Sequence, residues 1–232
     1  MTLSAAPLAA RLAPVAVVAS AILLAACGDA GPSPTPRPAC PTAPPTAGSA
    51  EAALDGADRA VVTTNKGTFT IELRGDVAPL ATASFVGLAR CGFYDGIRFH
   101  RVLAGFVAQA GDPNSDPDRP GTDPTLLGSG DAGYRFEIEP PADGLDYGRY
   151  SVSMANASAP GTNGSQFFIA LADLSGRLAR DYTIFGQVVE GRDVVDAIGS
   201  VPVNGPAGLP LDPVTIDSVS ITAEPAASPS GA

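Results

Sequence analysis

Tryptophan is absent from this chain of 232 residues, and histidine and lysine occur once each, as His100 and Lys66. A single imidazole excludes a metal site built from several histidines and makes His100 the sole base for any Ser/His/Asp arrangement. Ser165, in Asn163-Gly164-Ser165-Gln166-Phe167, lacks the G-x-S-x-G nucleophile elbow, so hydrolase chemistry has no foothold. His100 reads instead as a hydrogen-bonded structural residue, and Lys66 carries no mechanism. Charged residues are sparse at 16%, the formal net charge is -10, and the arginines are scattered singly among acids. Phosphate binding at physiological salt needs clustered cations, which excludes nucleic acid as a partner. There is no internal repeat, no G-x-G-x-x-G after a strand, no Walker loop and no paired Cys or His spacing. Metal and nucleotide cofactors are therefore not expected.

Long apolar runs are also missing, with one exception near the N-terminus. Arg11 precedes Leu12 to Ala26, a run too short for a transmembrane span of ~20 residues, so residues 1–26 read as a secretory signal. The run ends Leu24-Ala25-Ala26-Cys27, which looks like a bacterial lipobox in which the Cys27 thiol accepts a diacylglyceryl group. An ordinary secretory signal or an uncleaved anchor is the other reading. Two acyl chains meet the requirement of two hydrophobic signals for stable anchoring, so the expected location is exported, on the outer face of the bacterial cell membrane. Residues 27–57 are Pro/Ala-rich and read as a disordered tether, residues 58–223 as the globular domain, and residues 224–232 as a disordered tail. In an oxidising compartment Cys40 and Cys91 either pair or stay free, and the sequence leaves both open.

The domain is apolar enough to build a core without staples. From Val61 to Leu73 the pattern is strand, Asn65-Lys66-Gly67 turn, strand, with Phe69, Ile71 and Leu73 facing one way. Pro79 opens a helix over Leu80 to Arg90, with Ala81, Phe85 and Leu88 on one face and Gly92 as its stop. Further strands are predicted at Ile97–Val102, Phe106–Ala110, Tyr150–Ala155, Gln166–Leu171, Thr183–Val189 and Val214–Thr222, with a short helix near Arg192–Ile198. Eight strands and two helices point to a mainly β fold: a closed eight-stranded antiparallel barrel capped by two helices. At eight strands side chains fill the interior, so a ligand must sit outside. The expected state is a monomer.

Two segments carry more information than the rest: Phe99 to Asp112, FHRVLAGFVAQAGD, and Ser153 to Ile169, SMANASAPGTNGSQFFI. Together they resemble the cyclophilin-type peptidyl-prolyl cis-trans isomerases, from roughly Ala60 to about Ile221. The resemblance implies the same barrel with an active groove across one face, no cofactor, and proline-containing polypeptides as partners. Rotating an X-Pro bond means breaking amide conjugation against a barrier of ~18 to 20 kcal/mol. As the bond twists, the proline nitrogen regains a lone pair, so a donor aimed at it stabilises the twisted state above either planar one.

By the resemblance Arg101 is that donor, and Phe106, Val107, Phe168 and Leu178 form the apolar floor for the proline ring, with Val107 where the family has methionine. Gln109, Ala155, Asn156 and Gln166 hold the substrate backbone or orient the arginine, whereas Phe167 alternates into the core. The chain departs from many eukaryotic members at Arg177-Leu178-Ala179-Arg180-Asp181-Tyr182, where they have Trp-Leu-Asp-Gly-Lys-His. Without that indole, cyclosporin-type macrocycles are expected to bind weakly; Tyr182, at the histidine position, is counted with the substrate-binding residues. The Pro/Asp-rich stretch Pro113 to Ser129 is longer than usual, and the family's glycine contact cannot be placed within it. The rival readings are a proline-binding chaperone or scaffold without turnover, and a structural surface lipoprotein.

Overall fold

The computed structural model describes Thr2 and residues 37–54, 56–157 and 159–223. The predicted signal, the Cys27 lipidation site and the C-terminal tail lie outside the described residues. The described residues from Arg37 onward form one compact unit.

Helix α1 (Ala47–Leu54) is followed by the hairpin β1 (Arg59–Thr64) and β2 (Gly67–Leu73). Thr64 faces Gly67 across a turn of Asn65 and Lys66, and Gly67 takes φ 124°, a conformation that favours glycine. Alternation buries Phe69, Ile71 and Leu73 as their spacing predicts. Helix α2 (Pro79–Arg90) has proline in its first turn, where a missing N–H is harmless. Two of the free N–H groups at its start, on Leu80 and Ala81, donate to the Glu139 carboxylate at 2.9 Å each. Ala81, Phe85 and Leu88 face inward.

The chain continues through β3 (Arg101–Leu103), β4 (Val107–Ala110), two 3-10 turns in a long loop (Pro113–Ser115 and Pro124–Leu126), β5 (Ser151–Met154), β6 (Phe167–Ala170) and β7 (Ile184–Glu190). It ends with α3 (Arg192–Gly199), the short pair β8 (Val203–Asn204) and β9 (Leu209–Pro210), and β10 (Ile216–Thr222). Eight strands form one sheet in the order β10-β1-β2-β7-β5-β6-β4-β3, with every neighbouring pair antiparallel.

This sheet is an open, curled half-barrel capped by helices, which corrects the closed barrel read from the strand count. Between the edge strands only an isolated bridge forms, Arg98 to Thr215. The reason is competition for one edge. Phe99 N–H donates to Val214 at 2.9 Å, but Val102 N–H, three residues on, donates to Gly208 at 2.7 Å in the turn between β8 and β9. The small hairpin, which no periodicity announced, takes the outer side of β3, so no ladder to β10 develops. Ordered pairing in β3 accordingly starts at Arg101, later than the predicted Ile97.

The curl encloses a core built on aromatics. Phe167 meets Phe85, Tyr94 and Phe99 edge-on, with ring centroids 5.6 to 6.4 Å apart. The Arg37–Leu54 stretch, inside the span whose composition reads as tether, lies against this domain. Cys40 is bonded to Cys91, Arg37 pairs with Asp95, and Ala50 of α1 is buried. Arg90 closes the C-terminal end of α1 by donating to the Ala53 and Leu54 carbonyls at 2.8 and 3.3 Å.

Candidate active site

Strand alternation sends one set of side chains to the core and the other to the opposite face. On β6, Phe167 and Ile169 join the core while Phe168 and Ala170 do not; on β4, Ala108 and Ala110 point in while Val107 points out. The outward set forms a second apolar cluster in which Val107, Phe168, Ala170, Leu174, Ile184 and Tyr147 are buried. Phe106, Ala155, Leu178 and Tyr182 pack on it half-buried. Every predicted floor residue is therefore in one patch, and Phe167 is in the core.

Register places the polar residues beside it. Arg101 pairs with Gln109 across β3 and β4, and Gln109 with Phe168 across β4 and β6. Arg101 is half-buried and donates from Nη1 to Gln109 Oε1 at 3.3 Å. Its Cζ lies 5.8 Å from the centroid of Phe106, which the tight turn between β3 and β4 projects over the floor. Gln109 Nε2 donates to Gln166 Oε1 at 2.9 Å, and Gln166 Nε2 donates to the carbonyls of Gly128 and Gly130 at 3.1 and 2.9 Å.

Beyond the glutamines opens a hollow of about 260 Å³ lined by Gln109, Gln166, Ala155, Asn156, Gly128 and Gly130 among others. The predicted residues thus divide between an apolar cluster and an adjoining, more polar hollow, and Arg101 touches members of both. Ala155 N–H is bonded to Gln166 O at 2.9 Å, and Asn156 Nδ2 donates to Asp181 O at 2.7 Å, pinning the loop that carries Leu178 and Tyr182. The Tyr182 ring stands edge-on to Phe168 at 5.5 Å, and its backbone exchanges hydrogen bonds with the Tyr147 hydroxyl at 3.0 and 3.1 Å.

The Pro113–Ser129 loop, unplaced from sequence, hangs on Asp112. That buried carboxylate accepts from Asn114 N–H at 2.7 Å, from Gly130 N–H at 3.3 Å and from Gly128 N–H. It thereby turns the two glycine carbonyls toward Gln166. Asp112-Pro113-Asn114 is an Asx-turn signature, the signal that could have located this anchor. Arg177 was also missed as a neighbour of the site: its Cζ lies 5.8 Å from the Phe106 centroid.

His100 is buried, yet neither ring nitrogen makes a hydrogen bond of ordinary geometry, unlike the bonded structural residue expected. Burial pushes its pKa down, with the Asp112 carboxylate opposing and Arg101 adding to the shift. Ser165 Oγ is fully buried and donates to Gly111 O at 2.7 Å, so it offers no nucleophile. Among the described residues no three His, Cys, Asp or Glu side chains cluster as metal ligands, and no helix is long and apolar enough to cross a membrane.

The half-barrel carries an arginine held by an amide relay beside an apolar floor. The family model for cyclophilin type peptidyl-prolyl cis-trans isomerase/CLD matches residues 59–221. Peptidyl-prolyl cis-trans isomerase A of Mycobacterium tuberculosis is 40% identical over 181 residues, covering 70% of this chain and 91% of the relative. An isomerase of Helicobacter pylori is 43% identical over 141 residues, covering 60% and 78%. A cyclophilin crystal structure from Cryptosporidium parvum aligns with TM-score 0.63 at 31% identity, covering 73% of this chain and 99% of that one. The same cyclophilin, solved in the presence of the dipeptide Ala-Pro, aligns with TM-score 0.62. The chain belongs to the cyclophilin-type peptidyl-prolyl cis-trans isomerases. Rotation of X-Pro bonds is the activity that this membership assigns, and the protein is an enzyme of that class.

Proposed function

We propose that the protein is an exported, lipid-anchored isomerase that rotates X-Pro bonds in other exported polypeptides and so assists their folding. The observation that carries the catalytic part is the relay Gln166–Gln109–Arg101 beside the apolar floor. Phe106, Val107, Phe168 and Leu178, with Tyr182 bracing the floor, hold the pyrrolidine ring. Its burial is worth roughly 25 cal/mol per Å² of apolar surface. Arg101 donates to the imide nitrogen as that atom loses its conjugation. The guanidinium is permanently charged and planar, and Gln109 fixes its orientation before the bond twists, so little reorganisation is needed at the crest of the barrier. Ala155, Asn156, Gln109 and Gln166 meet the main chain of the bound segment in the adjoining hollow. No proton is transferred and no covalent bond forms, consistent with a sole histidine that is buried and biased toward neutrality.

Export is supported by the 1–26 leader pattern ending at Cys27, and by the Cys40–Cys91 disulfide, a bond that persists in oxidising compartments. Acylated Cys27 would tether the domain, as a monomer, to the outer face of the cell membrane. An arginine stands where the indole of many eukaryotic members lies, so cyclosporin-type macrocycles bind weakly.

The test is turnover of a short X-Pro peptide by the full chain and by Arg101→Ala. The expected loss in kcat/KM is about 10²- to 10³-fold, the scale of removing one preorganised donor. Peptide binding without turnover in the unaltered protein would favour the chaperone or scaffold reading instead.

A further inference from the structure

A second guanidinium stands on the rim of the proline floor. Arg177 is exposed, and its Cζ is as far from the Phe106 ring centroid, 5.8 Å, as that of Arg101. Two cations therefore share one aromatic ring and lie within about 12 Å of each other, close to a Debye length of roughly 10 Å at 0.1 M salt. Neither has an acidic partner among the described residues. The acids that could have served are otherwise engaged: Asp173 accepts from Ser175 N–H at 2.9 Å, and Asp146 pairs with Arg180 at 2.8 Å. In a chain of net charge -10, this rim carries two guanidinium groups without an ion-pair partner among the described residues.

We propose that Arg177 makes the enzyme selective for prolines flanked by an acidic side chain. The inference rests on the isomerase reading and names the substrate class of the same groove. A proline ring seated against Phe106 places the Cα of each flanking residue only about 3.8 Å along the chain from its own. An Asp or Glu there can extend its carboxylate to a guanidinium beside that ring, whose planar fork donates two parallel hydrogen bonds to it. A lysine at the same place meets two like charges. Because Arg177 does not reach the twisting bond's nitrogen as Arg101 does, its effect falls on binding, and hence on KM more than on kcat.

The experiment compares three peptides that differ at one residue beside proline, Glu, Gln or Lys, with rates read by NMR exchange so that no coupling protease is involved. The full chain is expected to favour Glu over Gln by about three- to fivefold in kcat/KM, through KM, and to disfavour Lys by a similar factor. At high salt the preference shrinks. Arg177→Gln brings the ratios to about one, and Arg177→Glu inverts them. Equal rates on all three peptides, or a preference that survives Arg177→Gln, would overturn the inference while leaving the isomerase reading intact. No turnover on any peptide would sink both.

Discussion

Gln109 and Arg101 are cross-strand neighbours as well as hydrogen-bond partners, with the guanidinium Nη1 3.3 Å from the amide Oε1. That bond dictates the whole relay. A guanidinium has only donors, so Gln109 must present its oxygen to it and its nitrogen to Gln166. Gln166 in turn faces its nitrogen toward two glycine carbonyls. Each amide can sit one way only, and the last acceptors belong to a loop held by Asp112.

Breaking the relay in its middle is expected to damage catalysis more than binding. Gln109→Leu removes an acceptor from Arg101 without emptying the floor. We expect kcat to fall about ten- to hundredfold, the effect of losing one hydrogen bond to a charged group, with a smaller rise in KM from the lost contact to the substrate main chain. Steady-state kinetics on an X-Pro peptide decides this, and a loss confined to KM would contradict it.

The Cys40–Cys91 bond closes a loop across 51 residues of sequence and ties the segment before α1 to the C-terminal cap of α2. Its removal in a Cys40→Ser, Cys91→Ser double variant should destabilise the domain by about 2–4 kcal/mol. For a domain of this size that lowers Tm by about 5–10 °C. Neither cysteine lines the hollow or the apolar floor, so turnover at 25 °C should persist. An unchanged Tm in the double variant and in the reduced protein would show that the bond adds nothing.

His100 makes stability fall in acid. Burial holds its folded pKa below the unfolded value of about 6.5, so in the window beneath that value the unfolded chain binds more protons than the native one. Stability therefore rises with pH up to about 6.5 and is lost as pH drops toward the depressed folded pKa. Denaturant midpoints across pH 4.5 to 7.5 should slope less steeply in His100→Gln than in the unaltered protein. Equal slopes would mean that the ring is already charged, or titrates normally, in the folded state.

The lipidation proposed at Cys27 has a direct readout. Expressed in a bacterial host, the full chain should partition with membranes and carry a diacylglyceryl mass on its N-terminal peptide, while Cys27→Ser should be released in soluble form. Membrane partition unaffected by the substitution would argue for an uncleaved leader.

Much of this architecture was legible because it repeats at short range. A period of two in Phe69, Ile71 and Leu73 names the buried face of a strand whatever that strand later pairs with. The same rule separated Phe167 from Phe168 without any coordinates. A proline just inside a helix start is equally local, and α2 begins where Pro79 says. The convergence of Arg101, Gln109 and Phe168 was legible for a different reason: two segments carry a recognisable pattern, and side chains at fixed offsets on paired strands must meet.

What needed three dimensions was whatever depends on which distant backbone wins a given partner. Strand number suggested closure, but whether β3 meets β10 is settled by competition for one N–H edge, and β8 and β9 are too short to show a period. Cys40 and Cys91 were two thiols until folding brought their backbones together. The direction of each glutamine amide follows from its neighbours, and Arg177 reaches Phe106 across a loop whose path no pattern specifies. The sequence by itself determined which faces are apolar and which side chains can donate; tertiary structure decided who receives, because hydrogen-bond partners and ion pairs far apart in the chain are chosen by distance, and distance is a property of the whole fold.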